Sequence, residues 1–392
     1  MTASSTLHLV GSPITERPGL SPLNVGMLCT FPPTRCGLAR FSSGLAAGLS
    51  ANGVNVGVVR VSDGMPSQGS HVIGELVNGS ATSVAECIDL LNLSDIALVQ
   101  HRFGVYGGAD GDEILEIIGG LDVPAIVVVH TVPRDPSPRQ RAVLEQIVAL
   151  AERVVVLSDT ANGRLSRDFR VDGLKIKTIP HGATIPTGGS VKRGNRPTLL
   201  TWGQLGPGKG IERAIDAMSA LHQLNGRPRY LVAGGTHPKV LAAEGEQYRD
   251  ACVQQVHDSG LAGVVFFESG YRDRESLSAL VRSAAVVVLP YDSTEQDTSG
   301  VLVEAIGHGR PVVATAFPHA VELLGSGAGI VVAHDDPDAL RWALRSVLTQ
   351  PRLAGDMAAE ARRLAPSMAW SMVAASYQAA AQQVLSIRPE RI

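Results

Sequence analysis

Short apolar runs rich in β-branched residues alternate along most of the chain with segments whose apolar positions recur every three to four residues, the pattern of parallel βα units. In the first half the runs fall at 25–29, 54–61, 96–100, 125–130, 154–157 and 176–179. Their nearly unbroken apolarity predicts strands covered on both faces. A first helix is predicted to start after Gly37, because Leu38, Phe41, Leu45 and Leu49 share one face and Gly53 can close it. Residues 183–197 carry Gly, Pro and basic residues without a period, which predicts a linker between two domains. A second series then runs through 198–202, 230–233, 264–267, 286–289, 312–315 and 329–332. From Asp338 onward the pattern is helical, with Pro366 expected to break the chain before a last helix carrying Trp370, Met372, Val373 and Tyr377. The predicted fold class is α/β, with two similar-sized domains.

The chain's 392 residues suffice for two domains, each with its own core. Lys plus Arg number 34 against 37 Asp plus Glu, so no basic field favours nucleic acid as a partner. The cysteines, Cys29, Cys36, Cys87 and Cys252, form no C-x-x-C pair, so neither a zinc knuckle nor a dithiol redox site is expected, and reduced thiols suit a cytoplasmic protein. The first twenty residues lack the basic start and sustained apolar stretch of a secretory signal. Apolar runs such as 284–290 fall well short of the ~20 residues that a spanning helix needs.

Chemistry concentrates where predicted strands run into helices. The loop 31–37, Phe-Pro-Pro-Thr-Arg-Cys-Gly, joins the first strand to the first helix, where backbone N–H groups can face an anion; a tight turn without a ligand explains it equally well. The stretch 202–210, Trp-Gly-Gln-Leu-Gly-Pro-Gly-Lys-Gly, repeats the arrangement, and Lys209 among glycines can grip a phosphate or simply be a solvated turn lysine. In 289–304 a strand ends in a polar loop and a helix starts near Ser299, with Glu304 a turn and a half further on. That geometry offers an anion hole plus a carboxylate for vicinal hydroxyls, against a bland alternative of an N-cap at Thr298 or Ser299 and a solvated Glu304. His130 ends a buried strand at the carboxyl edge of its sheet, where open α/β folds bind ligands; His101, His181 and His319 are as well explained as structural histidines. Asp110, Asp112 and Glu113 are similar to a D-x-D metal motif but precede a helix predicted over 114–118, where acids suit the dipole.

Taken in order, these segments resemble the retaining GT-B glycosyltransferases of sequence family 4, the glycosyl transferases group 1, over roughly 24–377. The pattern G-x-L-x-x-x-K-G matches 203–210, and S-G-x-x-x-E-A-x-x-x-G-x-P-V-V-A-T matches 299–315. A bacterial subgroup looks closer still, sharing Gln100-His101, Phe103-Gly104, Gly107-Gly108, His130-Thr131-Val132, Pro180-His181-Gly182, Thr236-His237-Pro238 and Gln296 with Thr298-Ser299-Gly300.

The resemblance implies a Rossmann-like first domain on the acceptor side over 1–190, a Rossmann-like donor-side domain over 191–367, and a C-terminal helix, about 368–392, crossing back to the first across a central cleft. It implies transfer of a hexose from a nucleotide-diphosphate sugar, UDP- or GDP-linked, to an acceptor hydroxyl with retention, without a metal or other cofactor. The acceptor would be a carbohydrate, a lipid-linked or a small molecule, and peripheral membrane contact stays open. Carried over by position, Gly37 lies in the loop beside the diphosphate and His130 meets the donor sugar. Gly203 and Lys209 hold the diphosphate, Thr298 and the amides of Ser299, Gly300 and Val301 complete its cradle, and Glu304 binds the ribose. Three positions depart from the pattern. Gln204 stands where the family has Arg, Gln296 where it has the first of two Glu, and Arg102 where the subgroup has Glu. The rival expectations are a catalytically silent homologue or two-domain sugar-nucleotide binding protein, and a GT-B epimerase or phosphorylase.

Overall fold

The structure, a computed structural model, describes residues 22–67, 69–188 and 194–387. Among them the first strands are β1 (Asn24–Cys29), β2 (Asn55–Val61), β3 (Val72–Leu76), β4 (Ile96–His101), β5 (Ala125–Val129), β6 (Arg153–Val156) and β7 (Ile176–Thr178). They form one parallel sheet in the order β3-β2-β1-β4-β5-β6-β7. A second sheet holds β8 (Thr198–Trp202), β9 (Arg229–Ala233), β10 (Val265–Glu268), β11 (Val286–Leu289), β12 (Val312–Thr315) and β13 (Gly329–Val332), ordered β10-β9-β8-β11-β12-β13. Both are doubly wound. The strand order reverses between β1 and β4 in one and between β8 and β11 in the other, and the crevice outside the carboxyl ends at such a point is where these sheets take ligands.

The apolar runs became strands because helices cover both faces, and β4, β5, β8, β11 and β12 are buried throughout. The predictions missed β3. Its sequence, VIGEL, is short, interrupted by Gly74, and half-exposed at the sheet edge, so it carries little of the apolar signal. Two termini also shift. Strand β5 stops at Val129, which leaves His130 just outside it, although its N–H still donates to the His101 carbonyl at 3.0 Å. The first helix, Gly37–Ala51, ends on Asn52, and Gly53 follows with φ +81°.

The last helix, Trp370–Ile387, packs on the first domain. Its Val373, Ala374, Tyr377, Ala380, Ala381 and Val384 join the core built by Met27, Leu45, Leu98 and Ile126. Contact with the helix Gly37–Ala51 is close because Gly44 and Gly48 lack side chains: a Cβ on Gly44 would lie 2.3 Å from the Trp370 ring, and one on Gly48 2.5 Å from its carbonyl. The chain therefore passes between domains twice, and the passages lie side by side, with Ala183 bridged to Ala369 and the Ala183 N–H donating to the Met368 carbonyl at 2.7 Å. The linker expected over 183–197 is thus packed at its start, where Ala183 and Ile185 rest against Gly307. Residues 189–193 of that linker and 388–392 of the last helix lie outside the described residues, as do the first twenty residues. Among the described residues no helix is long and apolar enough to cross a membrane.

Candidate functional site

The four loops leaving the two switch points face one another. On the second domain, the 203–210 and 290–299 loops are joined at backbone level: the Asp292 N–H donates to the Gly208 carbonyl at 3.0 Å. Gly210 has φ +62°, and a Cβ there would sit 1.8 Å from the Pro290 carbonyl oxygen, so only glycine permits this approach. Gly203, at φ +117°, meets Val301 in the same way at longer range. Lys209 is thereby set at the junction, its Nζ 4.4 Å from the centre of the Tyr291 ring. Burial and the positive charge of Arg102 hold its ammonium below the usual lysine value.

The helix Gly300–Gly307 starts at the end of the 290–299 loop, with Ser299 Oγ capping the Leu302 N–H at 3.2 Å. The expected cradle of three amides needs one correction. The Ser299 N–H is already donated to His319 Nδ1 at 2.8 Å, so the amides at the helix start are those of Gly300 and Val301. An imidazole that accepts from a backbone N–H must be neutral with its proton on Nε2, in keeping with burial, which pushes His319 down to about 4. A Cβ on Gly300 would approach His181 Nε2 to 2.9 Å, so this first-domain histidine stands over the helix start. Burial lowers it to about 4 as well.

Gln296 turns its amide onto the Thr298 carbonyl at 3.1 Å, folding the loop back on itself. Between them Asp297, which sequence reasoning passed over, is buried, accepts the Val132 N–H at 3.1 Å and lies 3.8 Å from Arg164. Its carboxyl is raised to about 6 by burial, against the pull of those partners. Asp297 ties the 290–299 loop to the segment after His130. His130 itself donates from Nε2 to Gln100 Oε1 at 2.7 Å and meets Phe41 edge-on at 4.6 Å. Burial and the neighbouring His181, Arg102 and His101 hold it well below the usual histidine value.

Glu304 is not on a solvated face. Its Oε1 accepts the N–H and hydroxyl of Thr184, at 3.2 and 3.3 Å, and burial raises it to about 7. Oε2 has a 3.5 Å approach from His308 Nδ1, and the positive charges of Arg40 and Arg274 act on the group. Arg40 crosses the cleft to donate to the Arg272 carbonyl at 2.6 Å and lies over Tyr271. Gln204 also crosses, its amide donating to the Arg35 carbonyl at 3.1 Å. Gly37 opens the opposing helix, and a Cβ there would meet nothing within 4 Å. Asp110 and Asp112 are engaged elsewhere, by Gln140 and Arg139. Among the described residues no group of three His, Cys, Asp or Glu side chains could hold a metal ion.

Two doubly wound sheets with their switch points across one cleft, and a last helix returned to the first domain, make this a GT-B glycosyltransferase fold. The second half is more specific: residues 188–364 match the family model Glycosyl transferases group 1. Among solved structures, a glycosyltransferase from Rickettsia africae superposes with a TM-score of 0.73, at 14% identity, over 94% of this chain and 100% of that one. Anabaena HepE in complex with UDP and glucose gives 0.70 at 16% identity, over 92% and 100%. Among curated relatives, the D-inositol 3-phosphate glycosyltransferase of Kineococcus radiotolerans is 26% identical over 288 residues, 64% of each chain. That of Actinosynnema mirum is 27% identical over 296 residues, 69% of each. The chain thus matches about two thirds of the length of these relatives.

Proposed function

We propose that this protein is a retaining hexosyltransferase that takes its sugar from a nucleotide-diphosphate donor, UDP- or GDP-linked, and passes it to an acceptor hydroxyl without a metal. The observation that carries this reading is that Lys209 lies over Tyr291 at the second sheet's switch point, in a loop joined through its backbone to the loop that leads into the helix start at Gly300. Breaking a sugar–diphosphate bond puts new negative charge on the leaving group, so donors already in place there supply the largest catalytic effect. Lys209 and the amides of Gly300 and Val301 are those donors. Glu304, whose Oε2 accepts no hydrogen bond among the described residues but lies 3.5 Å from His308 Nδ1, takes the ribose hydroxyls, while Gln296 and His130 hold hydroxyls of the transferred sugar.

Retention follows from the family resemblance, and the surroundings of His130 bear on which retaining route serves. Asp297, the carboxylate that reaches this segment, is bound to the Val132 N–H and Arg164 and is not placed to attack a sugar. In the remaining route the acceptor oxygen bonds to the anomeric carbon on the face the diphosphate leaves, the carbon–oxygen bond to the diphosphate breaks, and the acceptor proton passes to the departing phosphate oxygen. Incubation with UDP- and GDP-linked hexoses and a panel of hydroxyl acceptors, including inositol phosphates, tests the proposal, with the product anomer read by NMR. An inverted product overturns retention, and no transfer from any nucleotide sugar overturns the activity.

A further inference from the structure

We propose that Arg102, from the first domain, is the second cation on the donor's diphosphate and grips it from across the cleft opposite Lys209. The inference rests on the donor reading above and adds a residue to that site.

Arg102 follows β4 directly, so it stands at the first sheet's switch point. It is exposed, and among the described residues its guanidinium has neither a hydrogen bond nor an ion pair. The loop it opens touches the donor-side domain: a Cβ on Gly104, at φ +79°, would lie 2.7 Å from Lys239 Nζ. The charge of Arg102 is felt by Lys209, by His130 and by His237, and His237 also feels Lys209 and Lys239. Burial first, and then these positive neighbours, hold Lys209, His130 and His237 below their usual values. Two domains therefore turn positive groups towards one place, an arrangement that repels itself until an anion arrives.

The charge of the proposed ligand fits. A diphosphate diester carries two negative charges and gains more as it leaves, and Lys209 neutralises one. Gln204, the other polar side chain of the 203–210 loop, is neutral and committed to the Arg35 carbonyl. The second positive charge then has to come from the facing domain, and a planar guanidinium can take two phosphate oxygens at once. Because Arg102 and Lys209 belong to different domains, binding the diphosphate would also draw the cleft shut.

The test is nucleotide affinity in Arg102→Gln, measured by calorimetry with UDP, GDP and the matching monophosphates. Exposure and lack of partners predict an unchanged melting temperature. Loss of one charge-assisted contact should weaken the diphosphate about 10- to 150-fold, while the monophosphate changes little. Unchanged diphosphate affinity in the folded variant, or an equal loss for the monophosphate, overturns the assignment. Intact diphosphate binding with a raised KM for an anionic acceptor overturns it too, and gives Arg102 to the acceptor. If the wild-type protein binds no nucleoside diphosphate, the donor reading itself has failed, and Arg102 falls with it.

Discussion

His319 offers a way to test whether the helix start at Ser299 is held as described. Its Nδ1 accepts the Ser299 N–H, which a protonated ring cannot do, and burial holds it near 4 against an ordinary 6.5. Between those values the unfolded chain binds the proton and the folded chain does not. The stabilisation is therefore complete above pH 6.5 and is lost as pH falls towards 4. At pH 5 the unfolded ring is almost fully protonated and the folded ring mostly neutral, so linkage removes about 2 kcal/mol relative to neutral pH. His319→Gln keeps an acceptor for Ser299 at every pH but does not titrate. Urea unfolding at pH 7.5 and pH 5 should show wild type losing about 2 kcal/mol more than the variant. Glu304 and Asp297, raised to about 7 and 6, have the opposite sign in this window, but they are common to both proteins and cancel in the comparison. An equal loss in the two proteins would show that His319 is not a neutral acceptor at the helix start.

Lys209→Ala should keep the fold and lower kcat/KM about 30- to 1,000-fold, the effect of removing one anion-stabilising group; near-normal turnover in a folded variant removes Lys209 from the site. If Glu304 Oε2 receives the ribose, a 2′-deoxyribose donor should bind wild type about 1.5–3 kcal/mol more weakly than the ribose donor. In Glu304→Ala that penalty should nearly vanish, and a penalty as large as in wild type refutes the contact. EDTA should leave transfer rates largely intact, since Arg139 and Gln140 already occupy Asp112 and Asp110; rescue of a chelated enzyme by magnesium or manganese alone contradicts this.

The alternating pattern carried the architecture because each buried parallel strand writes nearly the same apolar run, and β3 escaped because an edge strand need not. The loops at the switch points were visible as glycine-rich strand-to-helix junctions around Lys209 and Ser299. What sequence could not display was which groups were already taken. In the sequence the Ser299 amide has no visible partner, because His319 lies twenty residues on, and nothing there shows that one oxygen of the carboxylate expected to take ribose hydroxyls, Glu304, is already bound by Thr184. Asp297 gave no signal at all, because its partners, Val132 and Arg164, lie in the other domain. Arg102 stood out only as an unexpected residue, and its surroundings come from three separate loops.

The return of the last helix sets a clock on the protein's birth. A chain leaving the ribosome usually folds its first domain as soon as it emerges. Here the strands of that domain are complete at Thr178, yet one wall of its core arrives only with Val373, Tyr377 and Val384. At roughly 5–20 residues per second, the wait is about 10–40 s, during which the apolar stripe of the helix Gly37–Ala51 has no cover. A stop codon placed between Thr178 and Trp370 should therefore release a first domain that aggregates or recruits chaperones, even though every strand of its sheet has been made.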